Sequence, residues 1–205
     1  MAELQIGRRQ AAMNFLWYIS SNSDYLPTQH FMPRYSNTAI VLHWLMALLI
    51  VSAFTLGLTM VGIHGLTPTK LKYYSWHKWL GVTVLTLACL RLLWRLKEPV
   101  PPYPNSMSDW QRKAASAVHG LLYALIFAVP ISGYFYTLAA GVPVVYLGVL
   151  PLPVLIDPNP EWKPVLKLVH YTLNVILLVT VCLHVLAAFK HQFVDRDGVF
   201  KRILP

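Results

Sequence analysis

Apolar residues gather into four long stretches along the chain, approximately 39–63, 74–96, 114–139 and 164–191, separated by shorter polar or proline-rich intervals. Each stretch is near or above the ~20 residues that a helix needs to cross about 30 Å of hydrocarbon. The pattern predicts an all-α integral membrane bundle of four helices. Ser36, Asn37 or Thr38 can cap the start of the first span, since a short polar side chain there accepts from an otherwise unpaired N–H. The second span ends in Arg91-Leu92-Leu93-Trp94-Arg95-Leu96-Lys97 and a run of prolines, which forbid continuation, and Arg91 and Arg95 can snorkel to headgroups beside Trp94. Pro130 and Gly133 predict a bend inside the third span.

The interval 141–162 is apolar but carries Pro143, Pro151, Pro153, Pro158 and Pro160. It cannot be a regular span and is expected to lie over the outer helix ends, where irregular backbone can be buried against protein or reach water. Residues 1–33 are mixed and polar, with a short apolar island at 15–19 that is too brief for a signal-peptide core. They read as a cytoplasmic extension preceding a membrane domain over 34–205.

Composition agrees with the spans: of 205 residues, 56% are hydrophobic and 12% charged, with a mean hydropathy of +0.50. Four spans put both termini on one side, together with the 97–113 loop. That side carries Arg8, Arg9, Arg34, Arg91, Arg95, Lys97, Arg112, Lys113, Lys190, Arg196, Lys201 and Arg202, against Lys70, Lys72, Lys78, Lys163 and Lys167 on the other. The asymmetry places both termini in the cytoplasm. The net charge of +9 is mostly this topology signal, spread around helix ends rather than gathered on one soluble face as nucleic-acid binding requires. Cys89 and Cys182, far apart within spans, exclude a disulfide framework and a zinc ribbon. Without a Cys-x-x-Cys-His motif, any haem is held by coordination and packing alone.

Five of the eight histidines fall in the apolar segments: His43, His77, His119, His170 and His184. An ionisable side chain inside a bilayer is a functional hypothesis by default. His170 and His184 are fourteen residues apart, which on a helix returns to within about 40° of the starting face and climbs about 21 Å. One face of the last span therefore carries two imidazoles at two depths. With the topology above, His77 and His170 share the outer level, whereas His184 shares the inner level with either His43 or His119. Two bis-histidine haems fit this arrangement. A dinuclear metal site fits less well, because the layers are too far apart and no Asp or Glu lies in the spans. Ala47, Gly81 and Ala188, one turn after His43, His77 and His184, are small enough to let a porphyrin approach, although small residues also serve plain helix packing.

These residues resemble the bacterial cytochrome b561 family of four-helix di-haem b cytochromes. The resemblance covers about residues 32–205 and rests on Tyr35-Ser36 followed by His43-Trp44, on His77, on Arg91-Leu92-Leu93-Trp94-Arg95-Leu96-Lys97, on His119, and on His170 with His184 followed by Lys190-His191-Gln192-Phe193. It implies that His43 and His184 hold an inner haem b, that His77 and His170 hold an outer one, and that His119 is a non-ligand bordering a quinone pocket. It also implies quinone oxidoreductase chemistry, the best-defined form being oxidation of periplasmic superoxide to oxygen with reduction of ubiquinone. The N-terminal extension and the long loop between the third and fourth spans depart from the family pattern.

The residues add two expectations of their own. Lys78, Lys163 and Lys167, with Lys70 and Lys72, make a cationic outer mouth that would concentrate a small anion such as superoxide. Arg34, Tyr35, Arg91, Arg95 and His119 converge at the inner level, the expected quinone region. The alternative function is an electron-transfer subunit between the quinone pool and a periplasmic redox protein, which would dock on the apolar loop 142–156.

Overall fold

A computed structural model describes residue 13 and residues 34–205 except 99 and 105, so the expected extension over 1–33 lies outside the described residues. Four long helices dominate: α1 (Asn37–Gly62), α2 (Pro68–Lys97), α3 (Asp109–Ala139) and α4 (Trp162–Phe189). All four are long and apolar enough to cross a bilayer, and α4 continues into a π-helical turn at Lys190–Asp195.

The helices start where side chains satisfy their first N–H groups. The Ser36 hydroxyl accepts from Ala39 N–H at 3.4 Å and Thr67 from Lys70 N–H at 3.2 Å, with Pro68 opening α2. Ahead of α3, Gln111 Oε1 accepts from both the N–H and the hydroxyl of Ser108 at 2.9 Å. The Asn159 side chain accepts from Glu161 and Trp162 N–H at the start of α4. Helices α2 and α3 therefore begin five or six residues before their hydrocarbon stretches, because these polar caps stand outside the membrane.

Packing within the bundle is uneven. Pairs α1–α2 and α3–α4 run in close backbone contact, α2–α3 less so, and α4 scarcely approaches the backbones of α1 and α2. Met46, Val84, Ala88 and Ile126 form a buried apolar cluster, and no large side chain among the described residues is fully buried. Gly81 faces Pro130 of α3, where an added Cβ would meet the ring at 3.9 Å, an ordinary van der Waals contact. Helix α3 continues through Pro130.

At one end of the bundle, here the hairpin end, the 141–162 interval forms a two-stranded antiparallel hairpin, β1 (Val145–Tyr146) with β2 (Leu150–Pro151). Its turn needs two residues at positive φ, and Leu147 (52°) and Gly148 (76°) supply them. The hairpin lies on α2, where the Trp79 indole donates to Val145 carbonyl at 2.8 Å and Thr83 bonds the Tyr146 hydroxyl at 2.9 Å. The Tyr134 hydroxyl donates to Pro153 carbonyl, tying the loop to α3 as well. This is the cover over the helix ends that the prolines predict, with its backbone polar groups paired locally.

At the opposite, basal end, the C-terminal tail straps the bundle. Tyr35 N–H donates to Arg202 carbonyl at 3.4 Å, the Trp44 indole to Ile203 carbonyl at 2.8 Å, and the Arg34 guanidinium to Leu204 carbonyl. Arg202, almost fully buried, donates to Pro102 carbonyl at 2.7 Å. The Trp94 indole donates to the Ser36 hydroxyl at 3.0 Å.

Candidate functional site

Helix α4 presents His170 toward the hairpin end and His184 toward the basal end, and each meets an imidazole from another helix. The His77 and His170 ring centres are 6.4 Å apart and those of His43 and His184 are 6.2 Å apart. His119 approaches His184 to 5.3 Å. Two imidazoles sharing one metal between them have ring centres about 6.3 Å apart, from two bonds of about 2.0–2.1 Å and about 1.1 Å from each nitrogen to its ring centre. Both His77–His170 and His43–His184 meet this spacing. The His119–His184 rings are closer than this spacing. The two pairs of this spacing also join helices whose backbones make few close approaches.

The hairpin-end rings are oriented by neighbouring helices. His77 Nδ1 lies 3.0 Å from Ala53 carbonyl on α1, and His170 Nδ1 lies 3.1 Å from Val129 carbonyl and 3.0 Å from the Ser132 hydroxyl on α3. Donation from Nδ1 to a carbonyl fixes the tautomer and leaves Nε2 as the metal-facing nitrogen. Four residues beyond each carbonyl stands a glycine. A Cβ on Gly133 would come within 2.8 Å of His170 Cε1, and one on Gly57 within 3.3 Å of His77 Cε1. Each ring therefore lies in a cradle made of a carbonyl and the glycine one turn later. The donor set and the cradles fit a bis-imidazole haem.

The sequence reading missed Gly57 and Ser132, and read Gly133 only as part of a bend. Depth could have found them: Ala53 and Val129 lie nine and ten residues before the hairpin ends of their helices, level with His77 and His170.

The basal pair has a different neighbourhood. Arg91 Nη1 lies 3.1 Å from His43 Nδ1, while its Nε donates to the Tyr123 hydroxyl at 3.2 Å. Arg91 thus turns inward rather than snorkelling to headgroups. Arg95 packs over the Tyr123 ring at 5.2 Å. A cavity of about 240 Å3 opens here, lined by Leu92, Arg95, Tyr103, Ser116, His119, Gly120 and Tyr123. Of the residues expected to converge at this level, Arg95 and His119 line the cavity and Arg91 reaches it through Tyr123, while Arg34 holds the tail. Burial pushes the Tyr35 phenol above its ordinary range, so its hydroxyl keeps its proton at physiological pH.

At the hairpin end, Lys163 and Lys167 are exposed on α4 and Lys78 is half-buried on α2. Lys70 donates to Ile63 carbonyl at 2.7 Å, tying the α1–α2 corner, and Lys72 lies over the Trp76 ring of its own helix at 4.7 Å.

The fold and the paired imidazoles define the class, a four-helix membrane bundle of the cytochrome type. The sequence profile of the prokaryotic cytochrome b561 family matches residues 34–205, and the chain belongs to that family. It is 33% identical over 171 residues to cytochrome b561 homolog 2 of Escherichia coli, covering 83% of this chain and 91% of that protein. Cytochrome b561 homolog 1 of the same organism is 31% identical over 182 residues, 85% and 98% of the two chains. A protein named probable superoxide oxidase CybB, from Yersinia pestis, is 28% identical over 176 residues, 84% and 96% of the two chains. The protein is a multi-pass electron-transfer cytochrome of the bacterial inner membrane, of oxidoreductase type, and its family implies haem b as cofactor.

Proposed function

We propose that the protein carries electrons across the membrane between two haems b, the hairpin-end one held by His77 and His170 and the basal one by His43 and His184. Its activity on this reading is oxidation of periplasmic superoxide to oxygen coupled to reduction of ubiquinone. The observation that carries the reading is the pair of ring separations, 6.4 and 6.2 Å, between helices whose backbones stay apart. Lysine and arginine asymmetry puts the basal end and both termini in the cytoplasm.

Haem b with both axial positions filled supplies reversible one-electron transfer and disfavours oxygen binding. The residues do the rest. Lys78, Lys163 and Lys167 attract a small anion to the periplasmic mouth. Ala53 and Val129 carbonyls hold the hairpin-end imidazoles in the metal-binding tautomer. Arg95, Tyr103, His119 and Tyr123 line the basal cavity with hydrogen-bonding groups suited to a quinone headgroup. The superoxide substrate is supported by the name of the Yersinia pestis relative and by the exposed lysines.

The deciding experiment is stopped-flow absorbance of the oxidised protein mixed with superoxide, with and without soluble ubiquinone. Reduced b-bands that grow rapidly and decay only with quinone support the reading. Haems that stay oxidised with superoxide yet reduce with dithionite leave the second reading, electron transfer to a periplasmic redox protein. The exposed Leu147, Val149, Leu150, Val154 and Leu155 on and beside the hairpin favour that alternative as a docking surface.

Two further results are expected. His119→Ala retains both haems whereas His43→Ala retains one, counted by haem extraction per chain, and loss of a haem from His119→Ala overturns the basal assignment. Reduction by superoxide slows as ionic strength rises, because the Debye length shrinks from about 10 Å at 0.1 M toward 3 Å at 1 M, and Lys167→Gln slows it at low salt. A rate indifferent to salt removes the steering role.

A further inference from the structure

Beyond the end of α4 the chain makes a turn that neither imidazole pair uses. Lys190–Asp195 is π-helical, Arg196 follows in the left-handed region at φ 51°, and Gly198 stands at φ 77°. On a continuing α-helix Asp195 would lie one turn from His191, whereas Asp197, six residues on, would face another side. The turn brings both carboxylates to the same imidazole. His191 Nδ1 lies 2.6 Å from Asp197 Oδ2 and 3.4 Å from Asp195 Oδ2, and a donor atom from each of the three residues lies within 4.8 Å of the other two.

The cluster is held in place and shielded from water. The side chains of His191 and Asp197 are only 13% and 7% exposed, and that of Asp195 25%. Val199 N–H donates to Asp197 Oδ1 at 3.1 Å, which fixes the carboxylate and leaves its other oxygen facing the imidazole. Ligand atoms about 2.0–2.2 Å from a shared divalent ion stand roughly 3.0–3.5 Å apart. The His191–Asp195 separation already has this value, and His191–Asp197 reaches it by a small opening. One imidazole nitrogen with two carboxylate oxygens suits borderline divalent ions such as Zn2+, whereas Ca2+ takes about 6–8 oxygens and Cu+ prefers sulfur. The charges also match. Two carboxylates balance one divalent ion, and Lys190 Nζ, 2.5 Å from Asp195 Oδ2, neutralises one of them from a half-exposed position.

We propose that His191, Asp195 and Asp197 bind one divalent transition-metal ion of the zinc class, Lys190 leaving Asp195 for water as the ion enters and water completing the coordination. Such an ion clips the end of α4 to the turn that leads into the C-terminal tail. The site is separate from the haem assignment and does not depend on it.

The test is zinc binding to the purified holoprotein, made without a polyhistidine tag, stripped with EDTA and desalted. Binding is read by calorimetric titration and by zinc per chain after a second desalting. The wild type is expected to take up one zinc that excess Mg2+ does not displace. Loss of a partner behind a metal ligand costs roughly 10–100-fold in affinity, and loss of a ligand costs at least as much. His191→Gln and Asp197→Asn are therefore expected to lose the ion with haem content unchanged. Lys190→Gln is expected to bind zinc more tightly than the wild type, because the ammonium no longer competes. Asp195→Asn, at the most exposed of the three positions, serves if either buried substitution prevents folding, and it too is expected to lose the ion. No stoichiometric zinc in the wild type, or zinc held as tightly by the ligand variants, overturns the proposal. Unchanged or weaker binding by Lys190→Gln overturns the displacement of the lysine.

Discussion

With the ligation proposed above, Gly133→Ala is expected to retain one of the two haems, the hairpin-end haem being lost. Helix propensity alone argues the other way, since alanine in a helix interior is favoured over glycine by about 0.8–1.0 kcal/mol. The local contact outweighs it. The new Cβ would stand 2.8 Å from His170 Cε1 and 3.2 Å from its Nδ1. The ring is tethered by Val129 carbonyl and the Ser132 hydroxyl, so it cannot retreat without losing the contacts that set its tautomer. Gly57→Ala is the graded control: its Cβ would reach only 3.3 Å from His77 Cε1, a distance met by a small shift, so both haems should remain with the outer one bound more weakly. Haem content per chain, with thermal release of haem followed by absorbance, reads both variants. Two tightly bound haems in Gly133→Ala would show that the cradle has slack and that glycine there serves only the helix.

The second large effect is expected from deleting residues 200–205. This removes four tail contacts, two of them donated by arginine, with Arg34, Tyr35 and Trp44 of the N-terminal side and Pro102 of the α2–α3 connection. Neutral hydrogen bonds contribute about 0.5–1.5 kcal/mol net and those to charged groups about 1.5–3, so the strap is worth several kcal/mol. The effect is local as well as global. Trp44, whose indole the tail holds, packs edge-on against His43 at 5.4 Å between ring centres. The truncated chain should therefore unfold at a lower temperature and lose the basal haem while keeping the hairpin-end haem. Loss of both haems in equal measure would mean that the tail supports the bundle without a particular claim on His43.

Hydropathy makes the four spans legible because each helix is long and apolar over most of its surface, and length and apolarity suffice to mark it. What it reads, however, is hydrocarbon rather than helix. The starts of α2 and α3 at Pro68 and Asp109 lie beyond the apolar stretches, and their signals are chemical ones, Thr67 followed by proline and the Ser108–Gln111 pair. The histidine levels are equally legible, since depth follows from counting along spans of known direction. Depth does not choose between His43 and His119, which sit at one level; the family resemblance chooses His43, and the ring-to-ring distances, 6.2 against 5.3 Å, are in keeping with the proposed ligation. The carbonyl and glycine cradles are hidden for a different reason. A carbonyl belongs to every residue and leaves no mark in sequence, so only the glycine that exposes it can be seen, and glycine in a membrane helix has many uses. The inward turn of Arg91 depends on Tyr123 and His43, residues 32 and 48 positions away, which no local pattern records.

Helix α4 bears one imidazole of each pair, and it leaves the ribosome after the other three described spans. With the ligation proposed above, a nascent chain holding only the first three helices has half of each coordination set and can retain neither haem. Both sites come into being together, after translation has passed His184, and the tail that secures Trp44 beside His43 is made later still. On that ligation cofactor loading waits for α4, and chains terminated before this helix are expected to be colourless at both ends of the membrane rather than partly loaded.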